Sequence, residues 1–251
     1  MSTEFTALQT AMMQRALHLA VCAGNTTSPN PKVGCVIAHG EQIVGEGFHV
    51  QAGAPHAEVH ALRQAGDLAR GATAYVTLEP CSHTGKTPPC ANALIEAGVA
   101  EVICAMVDPN PQVAGQGLAR LQAASIRTAH GLLREQAQAI NRGFLSRIQR
   151  SRPFVTLKLA ASLDGKTALA DGTSQWITGS AARNDVHQER AARNAIITGS
   201  GTVLADNPQL NVRGVACLKP PVRVVLDRSL RSPATAQIFD TTVAPTWLFT
   251  A

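Results

Sequence analysis

One histidine and two cysteines, each set where a helix begins or a strand ends, constrain this chain more than any other feature. They are His56 in His56-Ala57-Glu58, Cys81 in Pro80-Cys81, and Cys90. For these side chains to act together, the fold must bring two helix starts and one strand end to the same place. One imidazole and two thiolates fill three positions of a tetrahedral zinc site and leave the fourth open for water. That open position separates a catalytic zinc from a closed structural one.

Glu58 lies two residues from the histidine, near enough to stand beside such a water without binding the metal. A helix N-terminus favours an ionised carboxylate and lowers a thiol's pKa, which suits Glu58 and Cys90. The pattern H-x-E followed by P-C-x-x-C is the signature of zinc deaminases. Here eight residues separate the cysteines instead of two. The chemistry expected of the set is hydrolytic deamination, with Glu58 as the general acid/base. A closed structural zinc needs a fourth ligand, for which His83 is the nearest candidate. Cys22, Cys35, Cys104 and Cys217 read as inert buried thiols.

Hydropathy periods place these residues on elements. Leu8, Met12, Ala16 and Ala20 recur at helical spacing, and Val33–Ala38 with Ile43–Phe48 reads as a hairpin. Helices are expected over His56–Gln64, Cys90–Ala97, Gly117–Ala124 and, as one long element, Leu132–Gln149. Strands are expected over Ala74–Leu78, Val102–Val107 and Ser125–Thr128. A hairpin followed by alternating helices and strands predicts a three-layer α/β domain with a mostly parallel sheet. Pro153 stops the long helix, so a boundary is placed near residue 150, giving domains 1–150 and 151–251. Beyond it, Phe154–Ala161, Ala195–Thr198, Val222–Leu226 and Trp247–Thr250 read as strands and Ser180–Arg193 as a helix.

The N-terminal stretch contains Glu4 and Arg15 and no continuous apolar run, unlike a signal peptide, and no 18-residue apolar stretch exists. A cytoplasmic enzyme with reduced thiols is therefore expected. The net charge of +5 is spread without a Lys/Arg stripe. That fits a small anionic substrate better than a polymer, and no nucleic-acid partner is expected. No membrane partner is expected.

Ser28-Pro29-Asn30-Pro31-Lys32-Val33-Gly34, His56-Ala57-Glu58 and the run from Thr77 to Cys90 with its Gly-Lys-Thr-Pro-Pro insert resemble the bifunctional deaminase–reductases of riboflavin biosynthesis. Asp108-Pro109-Asn110-Pro111, Phe154–Lys166 and Thr202–Pro208 extend the likeness over essentially the whole chain. The resemblance implies a cytidine-deaminase-like domain followed by a partial dihydrofolate-reductase-like α/β domain, in a homo-oligomer. The first domain would hold one Zn²⁺ and deaminate a diaminopyrimidinone ribosylamine 5′-phosphate. The second would reduce the ribosyl ring with NADPH. Relatives continue for roughly another hundred residues, including part of the cofactor site, so deaminase activity is the firmer expectation.

By the family's pattern Asn30, His49, Lys86, Asp108 and Asn110 contact the deaminase substrate. Lys158, Ser174, Arg190, Leu210 and Arg213 fall at reductase substrate positions, and Ala160, Trp176, Thr202 and Asp206 at cofactor positions. Each has a plainer reading: Lys86 a solvated loop lysine, His49 a surface histidine, Trp176 a core aromatic. The strand-to-turn run Ile197–Thr202 suits phosphate contact but is also an ordinary Gly/Ser turn. The remaining alternative is a deaminase of another nucleoside or nucleobase with a non-catalytic second domain.

Overall fold

A computed structural model of the protein describes residues 4–83, 88–111 and 113–251. The chain divides into two compact units, Met1–Val155 and Thr156–Ala251. In the first, helix α1 (Ala7–Cys22) opens behind a capping box in which Thr6 and Gln9 satisfy each other's backbone N–H. Strands β1 (Gly34–His39) and β2 (Gln42–Phe48) form the hairpin. Helix α2 (Ala57–Ala65), strand β3 (Thr73–Val76), helix α3 (Cys90–Ala97), strand β4 (Glu101–Cys104), helix α4 (Gln116–Ala123) and strand β5 (Arg127–His130) follow.

The sheet order is β2-β1-β3-β4-β5. β1 runs antiparallel to both β2 and β3, whereas β3–β4 and β4–β5 are parallel. Only half of the pairings are parallel, fewer than the alternation of elements predicts. The reason is a crossover: α2 carries the chain from β2 past β1 to β3, so β1 lies between two parallel strands and opposes both. The register sets the N-terminal end of β1 beside the C-terminal ends of β2, β3 and β4 at one edge. That edge holds the candidate site.

Both faces of the sheet are buried, which makes three layers. Cys35, Ile37, Ala74, Val76 and Val102 pack against α2, α3 and α4 through Ala57, Ala61, Ala91, Leu94 and Leu121. The alternate residues Val36, Ala38, Tyr75 and Ile103 pack against Met12, Met13, Ala16 and Leu17 of α1. Period-2 alternation with both sides apolar explains the near-continuous hydrophobic runs.

α2 lies unusually close to β2. A Cβ placed on Gly47 meets the Ala57 carbonyl oxygen at 2.4 Å and the Ala61 nitrogen at 2.7 Å. Those contacts are backbone and cannot rotate away, so Gly47→Ala must push the start of α2, with His56 and Glu58, off the sheet. We expect a stability loss of about 1–3 kcal/mol, the usual cost of overpacking, together with weaker zinc retention. Urea unfolding and metal content report both, and wild-type values in each would refute the close-packing argument.

The long helix expected over Leu132–Gln149 is broken into α5 (Arg134–Ile140) and α6 (Arg142–Arg150). Asn141 makes the break at φ −110°, ψ 22°. Its side-chain oxygen accepts the Lys32 N–H at 2.8 Å and its amide nitrogen donates to the Lys32 carbonyl at 2.9 Å. An asparagine committed to a distant backbone outweighs the local helical pattern.

In the second unit, helix α7 (Ser180–Ala191) precedes strand β6 (Ala195–Gly199), helix α8 (Ser200–Asp206), and strands β7 (Val222–Leu226) and β8 (Thr246–Phe249). The three strands form a parallel sheet in the order β6-β7-β8. Phe154–Ala161, expected as a strand, pairs with no strand among the described residues, and its alternating Val155, Leu157 and Leu159 are exposed. Alternation supplies the side-chain pattern but not the ladder that makes a strand. α8 replaces the turn expected after Thr198, with Gly199 as its N-cap. Arg223 is fully buried on β7 and donates to the carbonyls of Gln209, Asp240 and Ala244 at 3.0, 2.7 and 2.7 Å. No helix among the described residues is long and apolar enough to cross a membrane.

Candidate active site

Each side chain of the first unit's site is delivered to the shared sheet edge. His56 is the N-cap of α2 and Glu58 sits in its first turn. Cys81 lies in the loop after β3, and Cys90 is the first residue of α3. Their ligand atoms all lie within 4.8 Å of one another. His56 Nδ1 stands 3.2 Å from Cys90 Sγ and 3.6 Å from Cys81 Sγ.

A tetrahedral zinc with sulfur at about 2.3 Å and nitrogen at about 2.0–2.1 Å sets those atoms roughly 3.6 Å apart. The three residues therefore fit the ion in both donor chemistry and spacing. His83 is exposed and outside the cluster, so among the described residues no fourth protein ligand closes the site.

The electrostatics suit the same ion. The Cys81 thiol is drawn down to about 4, first by a hydrogen bond from Cys90 and then by His56 and the Cys90 backbone N–H. That N–H, at the start of α3, lies 3.3 Å from Cys81 Sγ. Cys90 is raised, because it supplies the proton its partner accepts and is itself buried. A cation displaces that shared proton. Glu58 is buried, and desolvation followed by the neighbouring Cys81 charge lifts its carboxyl to about 7. A carboxyl near neutrality can both take and return a proton.

His49 follows β2 and is buried, not a surface residue. Its Nδ1 lies 3.1 Å from the Pro55 carbonyl and its Nε2 3.4 Å from Asn30 Nδ2. A carbonyl can only accept, so the Nδ1–H donates to it and Nε2 accepts from Asn30. Burial lowers the His49 pKa and keeps the ring neutral. The His49 and His56 rings meet edge to face at 5.3 Å. Asp108, raised chiefly by burial, accepts the Asn110 N–H at 2.8 Å in the loop after β4. Asn30, His49, Asp108 and Asn110 thus all stand at the edge that carries the three metal-ligand candidates. Lys86 lies outside the described residues.

A buttress behind this edge escaped the motif reading. Glu79 is buried and accepts four backbone N–H groups: Asp108 at 3.1 Å and Gly115 at 2.9 Å on Oε2, Gly117 at 2.9 Å and Leu118 at 3.2 Å on Oε1. One carboxylate thereby ties the Cys81 loop to the Asp108–Asn110 loop and the start of α4. The available signal was an acidic residue beside Pro80-Cys81 at a buried strand end, where an unpaired charge does not survive. Of the four cysteines read as buried thiols, Cys35 and Cys104 are buried, Cys217 is half-buried and Cys22 is exposed.

In the second unit, Lys158, Ala160, Ser174 and Trp176 all lie in the irregular chain before α7. Trp176 is exposed, not a core residue, with the Arg183 guanidinium 4.6 Å over its ring. Thr202 and Asp206 sit one turn apart on α8. Leu210 packs on the small core formed by Val203, Val225, Ala236 and Ile238. Arg190 on α7 and Arg213 are joined through Asn211. No hydrogen bond among the described residues links Lys158, Ser174 or Ala160 to that pair.

Comparison with known proteins agrees with both halves. A family model for the cytidine and deoxycytidylate deaminase zinc-binding region matches residues 7–106, and one for the RibD C-terminal domain matches residues 153–251. The riboflavin biosynthesis protein RibD of Haemophilus influenzae is 54% identical over 98% of this chain and 69% of its own length. That of Escherichia coli is 56% identical over 87% of this chain and 63% of its own. The chain thus spans about two thirds of these curated relatives. RibD from Acinetobacter baumannii superposes with a TM-score of 0.89 at 50% identity, covering 97% of this chain and 70% of that one. A Thermotoga maritima crystal structure described as a diaminohydroxyphosphoribosylaminopyrimidine deaminase/5-amino-6-(5-phosphoribosylamino)uracil reductase gives 0.90 at 42% identity, with the same coverage. More than half identical to a relative that it covers by over two thirds, this chain belongs to the RibD family of riboflavin biosynthesis proteins.

Proposed function

We propose that the first unit hydrolytically deaminates a phosphorylated diaminopyrimidinone ribosylamine in riboflavin biosynthesis, and that the second serves the NADPH-dependent reduction of the ribosyl chain. The observation that carries the first half is the convergence of His56, Cys81 and Cys90 within 4.8 Å. It is joined by a buried, non-ligating Glu58 in the same helix turn. Zinc bound there supplies a Lewis-acidic open position that lowers the pKa of water to about 7. Glu58 would pass one proton of that water to the ring nitrogen and, once the hydroxyl has added to the ring carbon, the second to the amino group, which leaves as ammonia. The C–NH₂ bond breaks as the C=O bond forms, so the amidine becomes a lactam with one water consumed.

Asn30 presents its amide oxygen to the ring edge, because its nitrogen is engaged by neutral His49. Asp108 and Asn110 belong to the loop after β4 at the same edge, where the Asn110 N–H donates to the Asp108 carboxylate. The thinly spread net charge of +5 supports a small anion over a polymer as substrate. For the second unit, the support is the match to the RibD C-terminal domain over residues 153–251. We expect the protein to work in the cytoplasm.

Incubation with the phosphorylated diaminopyrimidinone and, separately, with cytidine tests the substrate assignment by ammonia release. We expect release only from the former. Release from cytidine alone would overturn it. NADPH oxidation on the deaminated product tests the second unit, and no oxidation would remove the reductase half of the reading.

A further inference from the structure

α7 carries His187 and Arg190 three residues apart, so both side chains leave the same face of the helix. The stretch after α8 brings Arg213 to them, and its backbone N–H donates to His187 Nδ1 at 3.1 Å. Asn211 serves both arginines. Its carbonyl accepts from Arg190 Nη1 at 3.0 Å, and its side-chain oxygen accepts from Arg213 Nη1 at 2.5 Å. Gln209 Oε1 adds a longer contact to Arg213 at 3.4 Å.

No side-chain ion pair among the described residues involves Arg190 or Arg213. Among the described residues the side-chain ion pairs are Arg15–Glu46, Arg127–Glu101 and Arg193–Glu189. Glu189, next to Arg190 on α7, is thus taken by Arg193. Half-buried Arg190 and His187 and exposed Arg213 therefore lie together, the two guanidiniums held by neutral oxygens. Burial and then the neighbouring Arg213 lower the Arg190 pKa, and burial and then both arginines lower that of His187, partly offset by the Asn211 backbone. A cluster that repels itself is relieved by an anion.

The imidazole has one further property. Because Nδ1 accepts a backbone N–H, the neutral ring carries its proton on Nε2, which is then a donor. With two arginine forks beside it, the cluster offers the several N–H donors that a tetrahedral oxyanion accepts.

We propose that His187 is a third anion-binding residue beside Arg190 and Arg213, donating Nε2–H to the phosphate of the sugar-phosphate substrate, and that Asn211 is the positioning residue that sets the two guanidiniums. The sugar phosphate as bearer of the anion rests on the reading of the second unit as a reductase. The donor set rests on the contacts alone.

The test is a titration of the full chain with inorganic phosphate and with a pentose 5-phosphate, followed by the ¹⁵N resonances of the histidine rings. The His187 Nε2–H signal shifts and saturates with both ligands, and the pentose 5-phosphate binds more tightly. His187→Ala weakens phosphate binding about tenfold or more, the loss of one hydrogen bond to a charged group. His187→Gln, which keeps a neutral N–H donor, recovers most of it. Asn211→Ala, which frees Arg213 but keeps the carbonyl that holds Arg190, weakens phosphate binding while the His187 signal still shifts at saturation, which separates positioning from collapse of the fold. Equal phosphate affinity in wild type and His187→Ala, or a His187 ring signal that never moves, overturns the role of His187. Displacement of the pentose 5-phosphate by NADPH overturns the substrate as bearer of the anion. Binding needs no turnover, so a missing NADPH oxidation counts against the reductase reading and leaves these outcomes decisive for His187.

Discussion

Glu58→Gln keeps zinc and the fold while deamination falls at least about a hundredfold, the scale of a lost general acid/base. The amide has the volume of the carboxyl but cannot take up the proton that water must lose. Glu58 binds no metal in this geometry: His56, Cys81 and Cys90 form the ligand set, and Glu58 stands outside it. Neutralising a carboxyl that burial already lifts to about 7 also removes a desolvation cost, so unfolding stability stays level or rises. Metal analysis, thermal unfolding and ammonia release on one preparation check the three parts together. Turnover within a few-fold of wild type would falsify the role given to Glu58, whereas loss of zinc would make it a ligand.

Glu79→Ala has the largest structural effect expected of any single change in the first unit. Four backbone N–H groups lose their acceptor at once, two of them in buried bonds. Breaking a buried charged network of this kind costs about 3–5 kcal/mol. Glu79→Gln should fall between, since one amide oxygen serves one pair of donors and its NH₂ faces the other. The damage should be local as well as global: the amides of Asp108, Gly115, Gly117 and Leu118 exchange faster, and zinc is held more weakly because Cys81 hangs on the same loop. A loss of stability below about 1 kcal/mol in Glu79→Ala would mean that the loop finds other partners.

Much of this was legible in the chain. The bounds of α3, Cys90–Ala97 closed by left-handed Gly98, follow from its apolar pattern and its stop signal. The hairpin of β1 and β2 follows from two β-rich runs around Gly40. The three metal-ligand candidates were readable because their residue types are rare at such junctions. What escaped depends on partners far away in sequence. Nothing local in Leu132–Gln149 shows that Asn141 is bound to Lys32, 109 residues upstream. Phe154–Ala161 has a strand's alternation, yet pairing is a property of two segments, and the second is not written in the first. Glu79 looked like one more residue of a motif, because its four partners lie 29 to 39 positions downstream. Even the strand directions of the sheet depended on where α2 crosses, not on the composition of β1.

The Asn141 clamp on Lys32 has a practical corollary for anyone trimming this protein. The zinc-binding family region ends at residue 106, yet the segment bearing Asn30 is latched by an amide beyond the last strand of the sheet. A minimal first unit must therefore retain α5 and the turn behind it, because a cut at the edge of the recognisable motif removes both the Asn141 latch and the four N–H groups that hold the Cys81 loop through Glu79.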